Sequence, residues 1–128
     1  MYKVILSIFW VLVIIYLVPF LVYGIGSVVA GLKTPEGITP AQFMISILFS
    51  KAGTAISFVL IFYFARNSLS GYWLLYAFLW WIMFVFGEIG QVIIGTSYSW
   101  KDAVAGVISE SIYLPLSAYL TNRIIGLK

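Results

Sequence analysis

The stretch from Val4 to about Leu32, VILSIFWVLVIIYLVPFLVYGIGSVVAGL, contains no charged residue, and a run of that length leaves few folds open. A bilayer core about 30 Å thick is crossed by about 20 apolar residues in a helix. Three further runs meet this condition, from Ala41 to about Ala65, from Tyr72 to about Gly95, and from about Asp102 to Thr121. They are separated by LKTPEGITP, RNSLSG and TSYSWKD, stretches rich in Pro, Gly and charge. The sequence therefore predicts an all-α integral membrane protein. Four transmembrane helices, over about 4–32, 41–65, 72–95 and 102–121, form an antiparallel bundle with short loops in a single domain, 1–128. Composition agrees: 9% of residues are charged and the mean hydropathy is +1.11, against about 25% charged in a soluble domain.

At 1.5 Å per residue the first run measures about 43 Å as a helix, more than a crossing needs. It is expected to tilt, to kink at Pro19, or to leave the membrane near Gly24. Lys3 ahead of an apolar run, with Val28 and Ala30 behind it, also outlines a signal peptide. The apolar core is far longer than the about 7 to 15 residues of a signal's hydrophobic region, so the stretch is read as a span. Thr39 before Pro40 marks the start of the second span, and Asp102 reads as an N-cap or first-turn acid of the fourth. Trp10, Tyr72, Trp73, Tyr98 and Trp100 fall near expected span ends, where aromatic anchors sit. Lys3, Arg66, Arg123 and Lys128 lie on one side of this topology, against Lys33 and Lys101 on the other, which are partly offset by Glu36 and Asp102. By the positive-inside rule both termini are cytoplasmic.

Three ionisable residues fall inside spans: Lys51, Glu88 and Glu110. Each costs about 2.5 to 3.5 kcal/mol near a helix centre, so each needs a reason to be there. Counted from the expected outer ends, they lie about 15, 10 and 12 Å deep, nearly one level. Helical spacing supports a shared interior. Asp102, Gly106, Glu110, Tyr113 and Ser117 make a polar and small stripe on the fourth span. Glu88 and Gln91 are neighbours on the third, with Gly87 and Gly90 expected to allow close helix approach. Gln42, Ser46, Ser50, Gly53 and Ser57 line one face of the second span, with Lys51 and Thr54 one position round, and Phe20, Gly24, Ser27 and Gly31 give the first a comparable face. The candidate ion-pair, cation or proton site is therefore Lys51, Glu88 and Glu110, supported by Gln91, Thr54, Tyr113 and Ser117.

Two carboxylates and one ammonium leave a residual negative charge that favours uptake of a proton or another cation in a low-dielectric interior. Either one Glu pairs with Lys51 while the other titrates, or both carboxylates hold a cation from which Lys51 is displaced. The static alternative is an ion pair that fixes helix register. With no Cys and no His, disulfides, thiolate or imidazole metal sites and His-based nucleophilic machinery are excluded. No cofactor is called for. A Schiff base at Lys51 or a divalent cation between the two Glu has no supporting motif. Trp80 and Trp81 read as lipid-facing bulk before an aromatic wall for an organic cation. No phosphate loop or nucleic-acid patch is present, and the pI of 9.2 reflects basic residues suited to anionic lipid headgroups.

These features point to a small, oligomeric proton- or cation-linked transporter or channel component. The alternative is a non-catalytic accessory subunit within a larger membrane complex. A lipid-acting enzyme is the least favoured reading. The expected partners are membrane lipids, further copies of the chain or a larger complex, and a proton or small cation.

Overall fold

The computed structural model describes residues 2–29, 37, 39–95 and 98–127. Every regular element among them is a helix: α1 (Tyr2–Val29), α2 (Pro40–Phe64), α3 (Arg66–Leu69), α4 (Trp73–Ile94) and α5 (Trp100–Ile125). All but the four-residue α3 are long and apolar enough to span a membrane. Lys33, Glu36 and Lys128, used above for orientation, lie outside the described residues, as do Gly31 and Leu32.

Local sequence explains the helix ends. Thr39 caps α2 in a reciprocal box, its hydroxyl accepting from the Gln42 N–H at 3.1 Å and its own N–H donating to Gln42 Oε1 at 3.1 Å. Gly95 closes α4 at φ 77°, a left-handed conformation that glycine adopts without steric cost. Of the two readings of Asp102, the first-turn acid is the one found in α5. Ser99 is the cap and Asp102 its partner, the Asp102 carboxylate accepting from the Ser99 N–H at 2.9 Å. The fourth span thus begins at Trp100. It continues past Thr121 to Ile125, since no helix breaker occurs between Thr121 and Gly126.

α1 runs unbroken through Pro19 to Val29 and does not leave the helix at Gly24. Proline removes one backbone donor, whereas abandoning the helix in an apolar medium would orphan many. Trp10 falls eight residues into α1, about 12 Å from its start, rather than at a span end.

α5 is the central helix, packed on α1 and on α4, and α2 packs on α1. Its inner face is built from Ala103, Ala105, Gly106, Ser109, Ser117 and Ala118, all buried, small side chains that let neighbouring helices approach. α2 meets α4 through aromatic rings: Phe58 lies 4.7 Å from Tyr76 and 5.4 Å from Trp80 between centroids. The Tyr76 hydroxyl donates to the Phe58 carbonyl. Trp80 is therefore part of the packing and not lipid-facing bulk, while Trp81 bridges to α5 by donating to Ser111 Oγ at 3.1 Å.

Two expected interior faces are turned elsewhere. The buried seam of α1 is Val4, Ser7, Val11 and Ile15, while Phe20, Gly24 and Ser27 are exposed. In α2 the stripe Gln42, Ser46, Ser50, Gly53 and Ser57 is exposed throughout, and the buried face carries Ala55, Phe58, Val59 and Phe62. Apolar bulk wins the interior here because large rings and branched chains fill the space between helices, which small polar residues on α2 cannot do.

Candidate functional site

The site is assembled on α5. Gly106, Glu110, Tyr113 and Ser117 all point into the chain's interior, with Glu110 4% exposed. Glu88, half-buried on α4, reaches across to α5 and lays its carboxyl directly over Gly106. A Cβ at that position would fall on Glu88 Oε1 and lie 2.7 Å from its Cδ. Counting from the connection between the two helices, Glu88 is six residues before the end of α4 and Gly106 six residues after the start of α5, so the two meet at equal depth.

Glu110 is one turn further along α5, yet the carboxyls of Glu88 and Glu110 come within hydrogen-bonding reach of each other. Side-chain direction explains this. A helical side chain leans toward its own N-terminus, so Glu110 leans back toward Gly106 while Glu88 leans deeper along α4, and the two converge. Among the described residues, Glu88 Oε2, Glu110 Oε1 and Ser117 Oγ are buried without a hydrogen-bond partner in the protein.

Lys51 does not take the expected place. Its ammonium donates to the Tyr113 hydroxyl at 3.4 Å and stands 5.2 Å from the centroid of that ring. Among the described residues it makes no ion pair with either glutamate, and it feels Glu110 and then Glu88 only through space. The reason is where the side chains converge: Glu110 leans toward the N-terminus of α5 to meet Glu88, whereas Lys51 enters from α2 at the level of Tyr113, about one turn further along α5.

The supporting residues divide. Tyr113 joins the site through Lys51, and Ser117 lies buried one turn on. Thr54 spends its hydroxyl on the Ser50 carbonyl of its own helix at 3.2 Å. Gln91 is exposed and makes no recorded bond to the carboxyls. Gly87 and Gly90 have open space where a Cβ would stand, so they do not mark a close approach. That role falls to Gly106.

Two residues that sequence reasoning missed complete the cluster. Tyr23 of α1 and Tyr98 before α5 both donate to the Asp102 carbonyl, at 3.2 and 3.4 Å. The two phenols lie within electrostatic reach of each other and of both glutamates. Tyr98 reads from sequence as an interfacial anchor and Tyr23 as one more apolar-run aromatic. No spacing rule links positions so far apart on separate elements.

Chemically, the arrangement places two carboxyl groups side by side, backed by a glycine and bordered by phenols, with the nearest cation engaged elsewhere. Two carboxylates at such range repel strongly unless a proton or a cation stands between them. Comparison with protein-family models, curated protein sequences and solved structures gives no significant match, so function is argued from these residues alone.

Proposed function

We propose that the chain is a small proton- or cation-linked transporter or channel component in which Glu88 and Glu110 act as one proton- or cation-holding pair. The observation that carries this reading is the Glu88 carboxyl lying over Gly106 and beside that of Glu110 while Lys51 is bound to Tyr113. With no counter-cation between them among the described residues, the pair needs a proton or a small cation, and exchanging one for the other is the elementary step of coupled transport.

The four spans run antiparallel, joined by short loops, with both termini cytoplasmic. Lys3 and Arg66 share one end of the molecule with the C-terminus of α5, where Arg123 lies, and Lys101 belongs to the opposite end, which supports that orientation. The exposed stripe Gln42, Ser46, Ser50, Gly53 and Ser57 supports assembly, since polar and small faces in a span associate with protein in preference to lipid. The same stripe favours the second reading, an accessory subunit in a larger complex.

The test is proton movement in vesicles reconstituted with purified protein and followed with an internal pH-sensitive dye. Glu88→Gln and Glu110→Gln should each abolish the pH-driven signal while insertion and oligomeric mass stay unchanged. A Glu88→Gln/Glu110→Gln double variant with full activity would reduce the carboxyl pair to a packing device. Mass measurement after purification from native membranes separates the two assemblies, a lone homo-oligomer from a fixed heteromer.

A further inference from the structure

At the end of the molecule remote from the glutamates, the N-terminus of α1, the C-terminus of α2 with the start of α3, and the C-terminus of α5 enclose a cavity of about 360 Å³. That size falls at the low end of the range small-ligand sites occupy. Lys3 and Arg66 supply two cations to its wall, Tyr2 and Tyr63 two aromatic rings, and Val4 and Ile125 a buried apolar floor. The described acidic residues, Glu88, Glu110 and Asp102, all lie toward the other end, and among the described residues no carboxylate lines the cavity.

The wall is held in place. The Gly71 N–H donates to Asn122 Oδ1 at 2.9 Å, the Leu127 N–H donates to Ser70 Oγ at 2.8 Å, and Ser70 Oγ donates to the Arg66 carbonyl at 2.6 Å. These bonds tie the segment bearing Arg66 to the end of α5. The guanidinium itself is set 4.6 Å above the Tyr63 ring, an arrangement that leaves its N–H edge free to meet an anion.

We propose that this cavity binds a phosphate group, with Arg66 presenting its planar N–H fork and Lys3 a point charge. Two cations with no carboxylate beside them among the described residues, at the level where three spans end, match the headgroup zone of a membrane, where basic pockets between helices hold lipid phosphates. A phosphodiester of an anionic lipid and a free phosphate share this chemistry, and the test separates them. The inference is independent of the glutamate pair.

Delipidated protein in detergent is mixed with phosphatidylglycerol or phosphatidylcholine, with or without inorganic phosphate, and bound species are counted by native mass spectrometry. Wild-type protein should retain phosphatidylglycerol over phosphatidylcholine. Lys3→Gln/Arg66→Gln should lower that retention about tenfold or more, at about fivefold per cation, and Lys101→Gln at the opposite end should leave it unchanged. Lys3 is exposed, so Lys3→Gln alone tests the site without disturbing packing and should cost about fivefold. Phosphate adducts that form without lipid and vanish in the double variant would assign the site to the free anion. Equal retention of both lipids, or retention unchanged in both variants, with no such phosphate adduct, would overturn the proposal.

Discussion

Gly106→Ala isolates the contact on which the site depends. The new methyl would clash with Glu88 Oε1 and stand 2.7 Å from Cδ and 3.1 Å from Oε2, so the carboxyl must move. It is the far end of a flexible side chain, and it can swing aside without separating α4 from α5. The cost is the lost meeting with Glu110: a buried polar group deprived of its partner is worth about 1 to 3 kcal/mol. Against this, alanine in a helix interior is better than glycine by about 1 kcal/mol. The net change is a destabilisation between about 0 and 2 kcal/mol. In a Glu88→Ala background nothing obstructs the methyl, and the same substitution should stabilise by about 1 kcal/mol. The coupling energy across the cycle is therefore about 1 to 3 kcal/mol, measured by reversible SDS titration in mixed micelles with helical ellipticity as the readout. A coupling below about 0.5 kcal/mol, the range of independent sites, would refute the placement of Glu88 over Gly106.

Two further substitutions examine its surroundings. Tyr113→Phe keeps the ring beside Lys51 but removes the hydroxyl that accepts from its ammonium, and should cost about 1 kcal/mol in the same titration; Tyr113→Leu, which loses the ring face as well, should cost about 0.5 to 2 kcal/mol more. Ser99→Ala removes the cap of α5 and should cost about 1 kcal/mol, seen most directly as faster hydrogen exchange at the Asp102 amide, whose partner is the Ser99 hydroxyl.

The one-dimensional pattern was sufficient for the number of apolar helices and for the start of α2. A backbone in hydrocarbon must satisfy its own hydrogen bonds, so a long charge-free run has one outcome, and Thr39 with Gln42 marks a helix start by chemistry confined to four residues. Glu110, Tyr113 and Ser117 share an inner face because their spacing on one helix is a local property, and the buried seam of α5 follows it. Which way the other helices turn was a different matter. In water an apolar stripe must face inward, but in a membrane the outside is as apolar as the inside, and periodicity loses its sense of direction. Hence the serine stripe of α2 reads as interior and stands exposed, and Phe20, Gly24 and Ser27 of α1 do the same. Pairing between helices was equally out of reach of the sequence. That Glu88 meets Gly106 and leans to Glu110, and that Lys51 arrives at Tyr113 instead of a carboxylate, depends on offsets of a few residues between elements and on the lean of side chains toward their helix N-termini. Those offsets are set by the packing of α4 and α2 around α5, and only the tertiary structure decides them.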